Sequence, residues 1–308
     1  MQPVLSVFLS HVEPLLGGSN ARLIDMARIA EQAGAGQGVF SEHVAMGPKD
    51  GSGPNGEVKG EASRFPFEPD ENYPEPLVAL SAIAGATKTL RLATGILIAP
   101  LRPAILLAKM AATLDHVSNG RFDLGVGSGW HVPELRATGV DPHRTVEHME
   151  NIVGACRALW SGEPASFASS TVNFDRLQCR PAPFAREKFP VWIAGPPSAG
   201  SARRIARLGN GWLAFSNVRV DGIRQGSDHL REAERQHGLP EGSLGIRAGL
   251  PVVQGRTVDE MLDGAFADAP ALVAAGAGFL QLAVWRYVRH FDEIGPVIEK
   301  ARQRLDAL

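Results

Sequence analysis

The order of elements along the chain predicts an α/β fold, a (β/α)8 TIM barrel with insertion loops. Short apolar segments typical of strands alternate with amphipathic segments of helical period over most of the sequence. We count eight such strand–helix units, and eight units close a parallel barrel. An open doubly wound sheet is the alternative that the same alternation allows. We expect one domain over residues 1–308, because α/β barrels of this length fold as one unit.

The first half of the chain contains four of these units. Its first helix has apolar residues three or four positions apart, from Leu23 to Ala30, and Gly34 ends it. Pro103 suits the first turn of a later helix, and the segment Pro142–Trp160 carries a continuous apolar face. The expected strands are Val4–Leu9, Gly38–Ser41, Leu90–Ile98 and Arg121–Val126, and the expected helices are Ala21–Gln32, Pro76–Thr87, Pro103–His116 and Pro142–Trp160.

The second half continues the alternation with four further units. Each strand segment is a short apolar run, and an amphipathic segment follows it. The expected strands are Val191–Ala194, Gly211–Phe215, Ile246–Val253 and Gly278–Val284, and the expected helices are Ser198–Leu208, Ile223–Gln236, Val258–Ala267 and Phe291–Leu305.

Two insertions interrupt the alternation. The segment at about 47–72 is rich in glycine and proline and has no apolar period. A loop of this length in a compact domain is functional or disordered, and we interpret it as a lid over a cleft. The segment at about 161–189 is irregular, with a hairpin expected around Thr171–Asp175.

Composition and charge exclude several classes of protein. The chain is 44% apolar and 21% charged, with a formal net charge of −2, so no strong field would attract nucleic acid or an anionic membrane. Its two cysteines, Cys156 and Cys179, form no Cys-x-x-Cys pair. The apolar run near the start is too short for a signal or membrane segment. We therefore expect a cytoplasmic protein that binds neither nucleic acid nor membrane.

The run from Gly125 to Trp130 is the most informative motif. Gly125, Gly127 and Gly129 alternate along the end of an expected strand, so no side chains project there. Ligands of barrel enzymes bind at the carboxyl ends of the strands. We therefore expect a flat ligand to lie against this backbone, with Trp130 either stacking on it or closing the barrel mouth.

His43 is the best candidate for proton transfer. It ends the second expected strand, and an imidazole exchanges protons near neutral pH. A histidine that only bonds a neighbouring loop is the alternative, and position alone favours neither. Adjacent strand residues point to opposite faces, so Glu42 is free to form a structural ion pair outside the site.

The segment Gly195-Pro196-Pro197-Ser198-Ala199 is a candidate phosphate site. It follows the fifth expected strand and opens a helix, whose first N–H groups attract anions. Arg203 and Arg204 follow one turn later. A capped helix without a ligand is the alternative. Other residues expected at strand ends are His11, Gly95-Ile96, Ser216-Asn217 and Trp285 to Arg289.

The spacing of residues argues against several other kinds of catalytic or binding site. The chain has no His-x-His pair at a strand end, and we expect no metal site. A Rossmann fingerprint starting at Gly125 would need glycine at position 130, where Trp130 stands. No Walker motif and no Gly-x-Ser-x-Gly elbow occurs, and every lysine falls in an expected loop or helix, which disfavours a barrel aldolase.

Taken together, the strand-end motifs resemble the bacterial luciferase-like family of flavin- and coenzyme F420-dependent oxidoreductases, most closely its uncharacterised coenzyme F420-type subgroup. No single motif is specific, but they occur in order from residue 4 to about residue 216. The matching segments are Ser41–Val44, Leu92–Leu97, Leu107–Asp115, Ser118–Trp130, Val191–Gly195 and Ala206–Trp212.

The resemblance implies roles for particular residues. His43 would lie near the reactive centre of the cofactor, and the bond Gly95–Ile96 would be a cis peptide forming a bulge behind its ring. Gly127, Ser128, Gly129 and Trp130 would lie beside the cofactor, and Gly195 to Ala199 would contact its phosphate tail. Sugar-phosphate dehydrogenases of the coenzyme F420 branch carry a glutamate where this chain has Trp130, so glucose 6-phosphate is a poor substrate candidate.

The resemblance also implies the activity. We expect an oxidoreductase that uses noncovalent coenzyme F420 to transfer a hydride to or from a small organic substrate. The alternative is an FMN-dependent two-component monooxygenase, for which a separate reductase would supply reduced FMN. A non-catalytic flavin- or deazaflavin-binding protein is an alternative of another class. Relatives of this type often form dimers, and we expect a homodimer here.

Overall fold

The computed structural model describes residues 2–11, 15, 17, 20, 22–47 and 72–308. Eight parallel strand positions form a closed barrel. The (β/α)8 prediction is confirmed, and the open sheet is excluded. Residues 48–71, which make up nearly all of the predicted lid, lie outside the described residues. The barrel strands are β1 (Val4–Phe8), β2 (Gln37–Phe40), β3 (Arg91–Thr94), β4 (Leu97–Ile98), β5 (Phe122–Gly127), β8 (Val191–Gly195), β9 (Gly211–Ala214), β10 (Gly245–Gly249) and β11 (Ala277–Leu282). The barrel closes in the order β1-β2-β3-β5-β8-β9-β10-β11 and back to β1, and β3 and β4 share one position beside β5.

Helices follow the strands along the chain, as an alternating β/α sequence requires. Of the apolar residues whose spacing predicts the first helix, Leu23, Ala27 and Ala30 are buried and Ile24 is half-buried, and Met26 is buried beside them. The helices are α1 (Arg22–Gln32), α2 (Pro76–Ala86), α3 (Ala104–Val117), α4 (Val132–Ala137), α5 (Thr145–Leu159), α6 (Ala199–Leu208), α7 (Val220–His237), α8 (Val258–Phe266), α9 (Ala269–Ala274) and α10 (Ile294–Asp306).

The prediction of one continuous strand over Leu90–Ile98 is wrong, because this segment forms two strands. It is divided into β3 and β4 by the Gly95–Ile96 peptide bond, which is cis as the resemblance implies. Both pieces pair with β5, through Leu92↔Phe122 and Leu97↔Val126. The chain therefore bulges at the carboxyl end of β3 and then rejoins the same neighbour.

Sequence periodicity also missed α4 and placed the start of the next helix too early. Pro133 lies in the first turn of α4, where a missing N–H costs nothing. Pro142 precedes α5, which begins at Thr145. The hairpin expected in the second insertion is present as the antiparallel pair β6 (Ala165–Ala168) and β7 (Asn173–Leu177).

The amino end of the barrel is closed by a buried polar network. Asp123 accepts hydrogen bonds from Gln37 Nε2 at 2.6 Å and from Arg91 Nη2 at 2.5 Å. Ser6 donates to Gln37 Oε1 at 2.5 Å, so four strands are joined. Ser6, Gln37, Arg91 and Asp123 thus satisfy one another, whereas the guanidinium of the neighbouring buried Arg247 has no hydrogen-bond partner among the described residues. Among the described residues, no helix is long and apolar enough to cross a membrane.

Candidate active site

His43 and Glu134 form a buried pair at the carboxyl end of β2. His43 Nδ1 lies 3.1 Å from Glu134 Oε2, and the two residues are 6% and 2% exposed. The other carboxylate oxygen, Oε1, accepts hydrogen bonds from the backbone N–H groups of Val44 and of Ala45. One buried carboxylate thus holds three consecutive residues, and these bonds compensate its loss of hydration.

A second histidine holds the same segment a little further on. His131 Nε2 accepts a hydrogen bond from Gly47 N at 2.8 Å. Burial lowers the pKa of His131, and the proximity of His43 acts in the same direction, whereas Glu134 opposes the shift. His131 immediately precedes α4, and Glu134 lies in its first turn. The short helix that sequence analysis missed therefore fixes residues 43–47.

Aromatic rings surround His43 at the mouth. Its ring centroid lies 5.3 Å from that of Tyr73 and 5.3 Å from that of Trp130, both edge-on. Tyr73 also lies edge-on to His11, 5.3 Å away, and its hydroxyl is 3.3 Å from His11 Nδ1. Trp285 contacts His11 from the end of β11, at 5.9 Å. The mouth thus combines apolar ring faces with a few polar atoms, as small-molecule sites commonly do.

His11 is a buried neutral histidine in an unusual backbone conformation. Burial lowers its pKa to about 3, and the positive charges that His43 and Arg286 can carry add to the effect. Its φ of +66° lies in the left-handed region that favours glycine. Non-glycine residues in this region occur more often at functional sites. His11 is therefore suited to hydrogen bonding at the mouth and not to acid catalysis near neutral pH.

Glu42 forms the structural ion pair that the alternation of strand faces allows. Its carboxylate accepts from Ile98 N at 2.7 Å and from both terminal nitrogens of Arg102. Burial raises the pKa of Glu42, and Arg102 acts in the opposite direction. Arg102 also bonds Glu75 at 2.6 Å, at the start of α2. This network lies behind the bulge and ties β2, β4 and α2 together.

The glycines of β5 make room for protein atoms, which corrects the expectation of a bare surface. A Cβ atom at Gly125 would overlap the carbonyl oxygen of Thr94 and approach Leu213 Cδ1 to 2.8 Å. A Cβ at Gly127 would lie 2.7 Å from Ile96 Cδ1. Ile96 of the bulge therefore covers the glycine strand, and a flat ligand here would meet the Ile96 side chain as well as backbone.

The start of α6 exposes hydrogen-bond donors at the end of β8. Ser198 caps the helix, and its hydroxyl oxygen accepts from Ser201 N at 3.3 Å. Among the described residues, none accepts from the N–H groups of Ala199 and Gly200. Arg204 is bound to Glu150 at 2.5 Å, so it is committed to α5 rather than to a ligand.

The predicted residues come together in two groups. His43, Trp130 and the Gly95–Ile96 bulge meet at the ends of β2, β3 and β5. The segment 195–199 lies at the end of β8, which pairs directly with β5. Sequence analysis missed Glu134, Tyr73 and the contact of His131. The available signal for Glu134 was a carboxylate between apolar residues just after the glycine run.

These groups fit a cofactor with a ring and an anionic tail. The N–H groups of Ala199 and Gly200 are donors at a helix N-terminus, which suits a phosphate, and the Ser198 hydroxyl, which donates to Ser201 Oγ at 3.2 Å, lies beside them. The bulge and the Trp130 ring offer an apolar wall for a planar group. His43 lies beside that wall with a polar ring. The arrangement has the components of a redox-cofactor site at a barrel mouth.

The chain belongs to the luciferase-like monooxygenase family, whose model matches residues 4–303. An uncharacterised protein of Mycobacterium tuberculosis is 33% identical over 177 residues, which cover 56% of this chain and 62% of that protein. An FMNH(2)-dependent dimethylsulfone monooxygenase of Pseudomonas fluorescens is 29% identical over 49% of this chain and 41% of that enzyme. The chain therefore spans less than two thirds of the length of either relative.

A solved structure shares the whole fold. The F420-dependent secondary alcohol dehydrogenase, in complex with an F420-acetone adduct, superposes with a TM-score of 0.78 over 99% of both chains, at 14% identity. At that identity the likeness concerns the fold alone. Membership of this family supports an oxidoreductase.

Proposed function

We propose that this chain binds coenzyme F420 noncovalently and transfers a hydride to or from a small organic substrate. The observation that carries the proposal is the meeting of the His43–Glu134 pair, the Trp130 ring and the Gly95–Ile96 bulge at one barrel mouth. Thr94 pairs with Phe40, so the bulge and the segment bearing His43 leave adjacent strands. A proton-transfer group thus lies beside the proposed ring site.

The proposed cofactor residues fall into two sets. One set would contact the ring, and the other would hold the phosphate through the start of α6. The ring set is Gly95, Ile96, Gly127, Ser128, Gly129 and Trp130, and the phosphate set is Gly195, Pro196, Pro197, Ser198 and Ala199.

The chain's own residues would position the reaction and handle the proton. Bound coenzyme F420 supplies hydride transfer. His43 would exchange the accompanying proton with the substrate, as the proposed catalytic residue. Trp130 and Tyr73 flank His43 and would limit the access of water to it. Arg286 lies near His11, stacked 3.7 Å from the Trp285 ring, and Arg203 is exposed on α6. These cations support coenzyme F420, whose tail is long and anionic.

An FMN-dependent monooxygenase is the second candidate. The sequence relatives that support it include the FMNH(2)-dependent dimethylsulfone monooxygenase. In this case molecular oxygen would be a co-substrate, and a separate reductase would be the partner that delivers reduced FMN. The same ring and phosphate residues would serve either cofactor.

Binding measurements separate the candidates. Purified protein is titrated with coenzyme F420 and with FMN, and the proposal expects coenzyme F420 to bind at least about tenfold more tightly, about 1.4 kcal/mol. Tight binding of FMN without binding of coenzyme F420 would reject it in favour of the monooxygenase. Binding of either cofactor without turnover of any organic substrate would favour the non-catalytic alternative.

A homodimer is the proposed assembly. Large apolar side chains are exposed on α2 and α3, which pack against each other. Val78 is 66% exposed, and Ile105 and Leu106 are about half exposed. A second copy of the chain covering these helices would remove that apolar surface from water.

A further inference from the structure

We infer that Glu134 is a positioning residue that fixes the tautomer of His43, with the proton on Nδ1 and the lone pair on Nε2. The inference deepens the proposed function, because it gives His43 the protonation pattern of a base. It concerns a residue of α4 that no sequence motif indicated. It rests on the bonds around one buried carboxylate.

The first step is the state of the Glu134 carboxylate. Its Oε1 accepts from two backbone N–H groups, those of Val44 and Ala45. Backbone N–H groups only donate, so Oε1 acts as an acceptor in both bonds. Two such donors compensate a negative charge in a site that is 2% exposed. The arrangement therefore favours an ionised carboxylate.

The second step assigns the proton of His43. Nδ1 lies 3.1 Å from Oε2 of the same carboxylate. An ionised carboxylate has no proton to donate, so Nδ1 must be the donor of this bond. In a neutral imidazole, Nε2 then carries the lone pair. Nε2 is then the ring nitrogen that has the capacity to accept a proton.

The neighbouring His131 provides an internal comparison. Its Nε2 accepts from Gly47 N at 2.8 Å, so its proton also lies on Nδ1. Among the described residues, however, its Nδ1 has no hydrogen-bond partner, whereas the Nδ1 of His43 meets a carboxylate. His131 thus holds the backbone only, and Glu134 holds both the backbone and the imidazole.

Replacing Glu134 by glutamine tests the tautomer directly. The glutamine oxygen would keep the bonds from Val44 and Ala45, and its NH2 group would then face Nδ1 of His43. That donor would move the imidazole proton to Nε2 and remove the basic lone pair. We expect kcat to fall on the order of 10²-fold, with KM changed less than about threefold.

The decisive readout is the 15N spectrum of full-length protein labelled at histidine. It is recorded at about pH 8, where an unperturbed imidazole is neutral. Signals of His43 are assigned by their loss in His43→Gln. The inference predicts the Nδ1–H tautomer in the unaltered protein and the Nε2–H tautomer in Glu134→Gln. An Nε2–H tautomer in the unaltered protein overturns it even if the variant fails to fold.

Two variants serve as controls. His131→Phe removes the acceptor for Gly47 and should leave the His43 tautomer unchanged. This variant therefore distinguishes an effect of the backbone position of residues 43–47 from an effect on the imidazole proton. Glu147→Gln alters an exposed carboxylate on α5 and should leave both tautomer and activity unchanged. The tautomer measurement needs neither cofactor nor substrate. If the His43 tautomer differs between the unaltered protein and Glu134→Gln but no redox turnover is found, only the proposed function is rejected. If the protein turns over a substrate but the tautomer is the same in both proteins, only this inference is rejected.

Discussion

The segment after β2 and the loop after β8 lie at the same end of the barrel, but they differ in how their backbone donors are satisfied. Val44, Ala45 and Gly47 all donate to side chains at the start of α4. Among the described residues, none accepts from the N–H groups of Ala199 and Gly200. The first region is completed by the protein, and the second has donors that a ligand can use.

The two regions are suited to two different proposed tasks, proton transfer after β2 and phosphate binding after β8. A proton-transfer group must be held within a fraction of an ångström of its working position, which the bonds to Glu134 provide. A phosphate site needs exposed donors before the ligand arrives. Strand β5 pairs with β3 and with β8, so it connects the two regions.

The largest expected effect follows from changing His43. His43→Ala should lower kcat by about 10²–10⁴-fold, because the positioned proton-transfer group is lost. Cofactor affinity should change little, since the proposed phosphate donors lie after β8. Steady-state kinetics and cofactor titration measure the two quantities. His237→Ala, an exposed histidine at the end of α7, is the matched control. Unaltered kcat in His43→Ala would remove His43 from the mechanism.

A large loss of stability is expected in the connecting strand. Gly125→Ala would force a Cβ against the Thr94 carbonyl, which is backbone and cannot turn away. We expect the free energy of unfolding to fall by about 3 kcal/mol, as measured by denaturant unfolding. Gly278→Ala in β11 is the control, because no atom lies within 4 Å of its added Cβ. Equal stability of the two variants would show that β5 tolerates side chains at this position.

The free energy of unfolding should depend on pH through His11. His11 stays neutral in the folded protein because its pKa is lowered to about 3, chiefly by burial. In the unfolded chain it binds a proton below about pH 6.5, so the unfolded state gains protons as the pH falls. This group should therefore cost about 2 kcal/mol of unfolding free energy between pH 7 and pH 5.

Denaturant unfolding at the two pH values checks this loss. The variant His11→Gln keeps a polar side chain but cannot titrate, so its stability should fall less over the same interval. Among the described residues, His43, Tyr73 and Arg286 are titratable or charged groups near His11, and they are unchanged in this variant. The same pH dependence in both proteins would contradict a neutral His11.

The smallest effect is expected at the start of α6. Ser198→Ala removes the helix cap and one proposed phosphate donor, so cofactor affinity should fall about tenfold, or about 1.4 kcal/mol. Thr257→Ala is the matched control, because Thr257 caps α8 through the same kind of bond, to Glu260 N at 3.2 Å. Both variants should lose about 1 kcal/mol of stability. Equal cofactor affinity in both would place the phosphate elsewhere.

The barrel could be predicted from the sequence because its evidence is local. Apolar residues at spacings of three and four mark helices such as α1, and short apolar runs mark the strands. The interruption at Gly95–Ile96 leaves the apolar run unbroken, so the family resemblance indicates it and the local pattern does not. Helix α4 has six residues and begins with Val132-Pro133, too short a segment for a period to appear.

The site was less predictable because its contacts are distant in sequence. His43 and Glu134 are 91 positions apart, and only the closed barrel brings them together. The glycine run indicates a functional region, but the atoms that fill the space above Gly127 belong to Ile96, in the bulge between β3 and β4. Residue type and strand position therefore indicated His43, whereas its partner required the fold.

We expect a flavin-type cofactor to lie across both regions, with its ring at the Gly95–Ile96 bulge and its phosphate at the start of α6. The decisive experiment is a crystal structure of the protein with coenzyme F420, or with FMN if that binds more tightly. We expect the ring beside Ile96 and Trp130, His43 within hydrogen-bond reach of the reacting centre, and the phosphate on the N–H groups of Ala199 and Gly200. A cofactor bound away from both regions, or with its ring remote from His43, would contradict it.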